Sequence, residues 1–557
     1  MPPRSVLHSR WPIFGALVAG GLAVALFWYV VLANPSGEAV PASGGSYTEG
    51  VTRAPERMNP LFPGTNQTDA DIAALVFSGL VRLGPDGTPQ PDLAERWEIT
   101  GNGQNYIFHL RRGVAWHDGE SFDSEDVAFT FRAIADPAFK GDPALHELMQ
   151  GVVVTARDPQ TVEFRLEQTY APFLAYMTVG ILPAHLLRRL DANQLFNAPF
   201  NQRPVGTGPY RFDARTDDGV DLEANGTYHL GPPRISRFRF RVYGDAAQLA
   251  SALRSGAIDG ALFSDDAADS DVAFFEGDRR FTAHRLTATT HYMLYLKTSD
   301  PNASDAKTNA PPFSDHDVRQ ALLQSLDIDA IINDVAGGHG QRIDTGIPRQ
   351  AWAYTEQALP PYDAGAAATA LEKAGWARDS DGVRRKGAQR LEFTIAVADE
   401  PRQVAIAREV ARQWEVAGVR ANVQPYSPPS FVEEHLLPRQ FDAALVAVAP
   451  GPDPDPYPFW HSSQTEPPGR NLSGFVDTRI DDALERARQT TDVARRRELY
   501  ALFSGYWLTD LPAIPLFAPV HVYAQNTRVR GVGEGLLFTP SARFANVQEW
   551  YVNTRVE

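Results

Sequence analysis

Residues 11–33, WPIFGALVAGGLAVALFWYVVLA, form a run of 23 positions without a charged side chain. At the rise of an α-helix, about 20 residues cross the hydrocarbon core of a bilayer, so this run is long enough to span one. Arg4 and Arg10 precede it, and no Lys or Arg follows before Arg53. Because positive charge is retained on the cytoplasmic side, residues 1–10 are expected in the cytoplasm and everything after the helix outside. Trp11, Trp28 and Tyr29 suit the two interfaces. A cleaved signal peptide is the alternative: Val40-Pro41-Ala42 offers small residues near a cut, although signal-peptide cores are usually about 7–15 residues. Residues 34–46, NPSGEAVPASGGS, have no periodicity and read as a flexible tether.

From Ser46 onward helical and strand patterns alternate, which predicts an α/β architecture. Ile72, Leu75, Val76, Gly79 and Leu80 recur at helical spacing behind Asp69 and Asp71, acids placed where the helix dipole favours them. Residues 106–110 and 162–166 read as strands, the second alternating cleanly. Phe122-Asp123-Ser124-Glu125-Asp126-Val127 opens a helix with polar caps and first-turn acids. A similar start is predicted at Ser314, with Asp317 three residues on. Amphipathic helices are expected over 404–414 and 480–507, the second broken near Thr490.

A chain of 557 residues exceeds what one core serves, so at least two lobes are expected. Its 52 basic and 68 acidic residues give a net charge of −16, a surface that repels nucleic-acid phosphates. There is no cysteine. That excludes disulfides, thiolate catalysis, Cys-ligated metals and a lipidated-cysteine anchor.

Motifs of catalysis are missing. No G-x-x-x-x-G-K loop, H-E-x-x-H helix or G-x-S-x-G elbow occurs. Gly337-Gly338-His339-Gly340 lacks the lysine of a phosphate loop and reads as a turn, as does His117-Asp118-Gly119-Glu120. Asp453 and Asp455 have the spacing of a carboxylate pair but sit among five prolines between Pro450 and Pro458. A rigid loop that lines a ligand suits them better than catalysis. No enzyme activity and no cofactor or metal is expected.

Residues 93–132, LAERWEITGNGQNYIFHLRRGVAWHDGESFDSEDVAFTFR, carry a more specific pattern: a Tyr-x-Phe-x-Leu-Arg-x-Gly-Val strand, a Trp-His-Asp-Gly turn and an Asp-Val-x-Phe helix. Further landmarks are Met58-Asn59-Pro60-Leu61-Phe62, Pro204-Val205-Gly206-Thr207-Gly208-Pro209-Tyr210, Leu253-Arg254-Ser255-Gly256 and Leu511-Pro512-Ala513-Ile514-Pro515. In this order they resemble the extracellular solute-binding proteins, family 5, of peptide and nickel ABC transporters, over nearly all of residues 45–557.

The resemblance implies a two-lobe α/β fold of the periplasmic-binding-protein type II class with an extra subdomain, preceded here by the N-terminal transmembrane helix. Lobe I would comprise residues 45–87, 203–285 and 523–557, with the extra subdomain at 88–202, and lobe II residues 286–522. It also implies a receptor at the outer face of the cytoplasmic membrane that captures peptides or similar oligomeric solutes for a permease and an ATPase. A nickel chelate or another non-peptide solute is the alternative cargo, and an envelope sensory protein the alternative role. Candidate ligand-binding residues are Asn59, Pro60, Tyr292, Trp352 and Tyr354. In and after the proline-rich loop they are Pro450, Asp453, Asp455, Tyr457, Phe459, Trp460 and His461. In peptide-binding relatives, the resemblance implies, an aspartate at the position of Pro450 meets the peptide's ammonium group. Proline offers neither charge nor N–H, so the ligand need not carry a free amino terminus. Asp453 or Asp455 is the substitute if the loop aligns differently, and the aromatic run after it suggests an apolar wall.

Overall fold

The computed structural model describes residues 39–62, 64, 66–264, 267–299 and 311–556. Its spine is the strand Ala513–Asn526, 14 residues long. The first half of this strand pairs antiparallel with His291–Leu296. Its second half pairs with Gly260–Phe263 and Phe281–Thr287. One sheet of 12 strands is therefore shared by two halves of the molecule.

Each half has its own core. On one side the strands Glu392–Ala398, Arg420–Tyr426, Ala443–Val448 and His291–Leu296 continue the sheet, around a core drawn from Tyr292 to Ala518 with Leu536. Every residue of His291–Leu296 is buried, so this strand is covered on both faces and reads as a nearly unbroken apolar run. On the other side Ser46–Val51, Arg237–Val242, Gly219–Ala224 and Tyr210–Thr216 extend the sheet. Their core is continuous with that of a separate four-stranded sheet, ordered Ala94–Thr100, Asn105–Leu110, Thr161–Arg165, Val153–Asp158.

Local chemistry explains the boundaries. The Asp123 side chain accepts from Glu125 N and Asp126 returns a bond to the Asp123 N–H, so the helix Ser124–Ala135 starts on a capping box. Val127, Phe131 and Ile134 are its buried face. The helix Thr478–Arg488 stops before Val493–Asp510 begins, which is the break expected near Thr490.

Three expectations are corrected. The helix Gln67–Val76 ends before Gly79 and Leu80, because Phe77 turns extended and the backbone of residues 206–208 packs on its last carbonyls. The second helix start lies at Asp315, whose side chain accepts from Asp317 N; Ser314 closes a short 3-10 turn before it. The flexible tether gives way at Ala39, since Ala39–Ala42 pairs with Asn553–Val556 and Gly44 N donates to Arg234 O at 2.7 Å. The apolar run 11–33 lies outside the described residues. Among the described residues no helix is long and apolar enough to cross a membrane.

Candidate functional site

The strands His291–Leu296 and Ala443–Val448 run antiparallel with His291 opposite Val448. The proline-rich loop 449–456 leaves the second strand at that point and folds back over the first. Side chains on one face of a strand alternate, so His291, Met293 and Tyr295 face the loop together. They form one wall of a partly open cavity whose other lining residues are Gly346, Val448, Pro450, Pro454, Asp455, Pro456, Phe459 and Trp460. Trp460 stacks on Tyr295 at 5.4 Å and meets Trp507 edge-on at 5.1 Å. A second cavity adjoins His291 on the side of Thr287, Gln341 and Arg349.

The two loop aspartates are each committed to an arginine. Asp453 takes a bidentate pair from Arg496, at 2.6 and 3.0 Å. Arg496 also donates to the Tyr500 hydroxyl at 2.8 Å and lies 5.0 Å over the Trp352 ring. Burial pushes the Asp453 carboxyl above its ordinary range, and Arg496 opposes that push. Asp455 accepts from Arg488 Nε at 2.7 Å and from Tyr457 N at 3.1 Å. The Arg488 guanidinium lies 3.7 Å over Tyr457 and 5.3 Å from Tyr170. A carboxylate balanced in this way has little charge left for a ligand's ammonium.

Tyr106, Tyr170 and Tyr176 bring residues 88–202 to this cluster. A Cβ on Gly451 would lie 2.8 Å from the Tyr176 hydroxyl. Burial, with the two aspartates adding to it, pushes the Tyr176 hydroxyl up to about 12. Trp352 N donates to Asp86 O at 2.9 Å, a second bridge between the halves.

Of the residues singled out by sequence, Pro450, Asp455, Phe459 and Trp460 line the cavity. Asp453, Trp352 and Tyr457 support it through the arginines. His461 stacks on Tyr457 at 4.1 Å, and its Nε2 faces Glu485 at 3.2 Å. Tyr292 points to the other face of its strand, edge-on to Phe517 at 5.2 Å. Tyr354 donates to Asp344 at 2.6 Å. Asn59 bonds Asn201 and Leu61 N inside the other half, and Pro60 packs there beside Gly180; neither lines the cavity.

Sequence reading missed His291, Met293, Tyr295, Gly346, Arg488 and Arg496. A histidine heading the otherwise apolar run HYMLYL was the available signal for the first; the glycine and the arginines carried none.

Comparison with known proteins gives a consistent picture. The family model described as bacterial extracellular solute-binding proteins, family 5 Middle, matches residues 88–469. Protein XP55 of Streptomyces lividans is 28% identical over 81% of this chain and 79% of its own. Oligopeptide-binding protein AppA of Bacillus subtilis is 25% identical over 92% of each chain. The crystal structure of NikZ from Campylobacter jejuni in complex with Ni(L-His) superposes with a TM-score of 0.69 at 26% identity, covering 91% of this chain and 99% of that one.

Proposed function

This chain belongs to the bacterial extracellular solute-binding proteins, family 5, and from that premise we propose that it is the capture subunit of an ATP-driven importer. It takes a peptide or similar oligomeric solute between lobe I, residues 45–87, 203–285 and 523–557, and lobe II, residues 286–522. A permease with its ATPase receives the cargo. The observation that carries this reading is the cavity under the proline-rich loop, largely apolar and furnished with a few directed polar atoms, lined by lobe II residues and lying beside the point where Tyr176 of residues 88–202 meets Gly451. Sites of that composition suit small-molecule and peptide side-chain capture. The likeness to an oligopeptide-binding protein along the whole chain supports it.

The charge-free run 11–33, with arginines only before it, supports a single-pass anchor that holds the receptor on the outer face of the cytoplasmic membrane. A non-peptide solute is the second reading, favoured by the resemblance to the Ni(L-His)-bound NikZ.

Native mass spectrometry of the full-length chain purified from its membrane tests the reading: a set of co-purifying peptides is expected. A single non-peptide species on every molecule would replace peptides as the cargo. No species, together with no calorimetric response to a peptide library, would overturn the capture role.

A further inference from the structure

Two polar side chains in the cavity are buried without a partner. The Nε2 of His291 has no hydrogen bond, and neither has the Tyr295 hydroxyl. His291 is 3% exposed and Tyr295 fully buried. Buried polar atoms are normally paired because leaving them unpaired is destabilising, so two of them at one cavity point to a group that arrives from outside.

The chemistry of that group follows from the atoms. Nδ1 of His291 faces the Thr289 carbonyl at 3.0 Å. A carbonyl only accepts, so Nδ1 carries the hydrogen and Nε2 presents a lone pair. Burial pushes the ring's pKa down to about 4, so it stays neutral near pH 7. Gly346 lies beside it. A Cβ on Gly346 would be 3.8 Å from His291 Nε2 and 3.6 Å from Trp460 Nε1, with the Met293 methyl at 4.0 Å. An acceptor and an indole N–H donor thus look onto one small space that the missing side chain leaves open. The single charged residue in the wall, Asp455, is tied to Arg488 at 2.7 Å. An ammonium would lose its water there without an unpaired carboxylate to meet it, and a carboxylate would face both a lone pair and Asp455.

We infer that this cavity is the subsite for an uncharged amide group of the solute, whose carbonyl accepts from Trp460 Nε1–H while its N–H donates to His291 Nε2. The inference rests on the solute-capture reading and specifies the chemistry of one position within it. Gly346 is the residue that gives the amide room, and Tyr295 offers a further hydroxyl in the same wall.

The test uses the full chain in lipid nanodiscs with 15N-labelled tryptophan, and three probes: N-methylacetamide, methylammonium and acetate. Trp460→Phe identifies the indole resonance. N-methylacetamide is expected to shift that resonance saturably, in the millimolar range, with methylammonium and acetate at least tenfold weaker. Gly346→Val, which fills the space, and His291→Leu, which removes the acceptor, should each weaken the amide at least tenfold. His291→Gln, which restores an acceptor, should recover most of it. Equal or stronger shifts from either ion, an amide response unchanged in Gly346→Val, or no response to any probe would overturn the subsite. An amide response without any co-purifying or titrating oligomeric solute would instead count against the capture reading and leave the subsite standing.

Discussion

At the scale of single residues, the loop aspartates show how burial reassigns a side chain. By sequence, Asp453 and Asp455 look like free acids beside a ligand; folded, each balances an arginine supplied from tens of residues away. That partnership was not legible, because Arg488 and Arg496 meet the loop only through the tertiary packing of two helices. Removing one partner of a buried pair leaves the other uncompensated, typically at about 3–5 kcal/mol. Asp453→Ala should therefore lower unfolding stability by ~3–5 kcal/mol in urea titration, while Asp453→Leu with Arg496→Met should recover much of it. Equal loss in the single and double variants would remove the pair as the cause. His291 gives a second residue-level consequence. Its folded pKa of about 4 lies below the unfolded value of roughly 6.5, so between these the unfolded state binds more protons. Its contribution is fully present above about pH 6.5 and is lost as pH falls toward 4. His291→Leu should flatten the pH dependence of stability over that window by about one proton, ~3 kcal/mol in total, as read by thermal unfolding at several pH values. A slope identical to the parent's would show that the ring does not titrate as its burial requires.

At the scale of elements, the few helices and strands predicted from the sequence are present, but the pattern missed where one element stops because of another. Gln67–Val76 illustrates this. Its apolar spacing runs on to Leu80, yet the helix ends at Val76, where residues 206–208 press against it. A Cβ on Gly206 would lie 1.9 Å from the Val76 carbonyl oxygen, and one on Gly208 2.6 Å from that of Leu75. Gly208 N donates to Val76 O at 2.8 Å, and the His117 side chain accepts from Gly206 N at 3.2 Å. The Pro204–Tyr210 landmark was visible in sequence as a resemblance; its reason, backbone against backbone, was not. Gly206→Ala forces the two segments apart and should cost at least the ~1–3 kcal/mol of overpacking, seen as a lower urea midpoint. Gly226→Ala is the control, since a Cβ there meets nothing within 4 Å. Similar losses for both would remove close approach as the explanation.

At the scale of the whole molecule, two cores share one sheet through the strand Ala513–Asn526, and they touch again at small, separable contacts. Trp352 N reaches Asp86 O, the Tyr176 hydroxyl crowds Gly451, and the Arg488 guanidinium lies between Tyr457 and Tyr170. Shared strands permit a hinge between the halves. A solute held between them stabilises the touching arrangement only by binding it better than the parted one. Removing co-purified solute from the full chain by reversible unfolding should therefore enlarge its radius of gyration in nanodisc-matched neutron scattering. Returning solute at 100 times its dissociation constant should reverse the change and add about 2.7 kcal/mol of stability. Tyr176→Ala, which removes a contact between the halves and lines neither cavity, should weaken solute binding while leaving the stripped form's dimensions unaltered. Scattering that is the same with and without solute would rule out hinge closure, because differential affinity for two arrangements requires two arrangements.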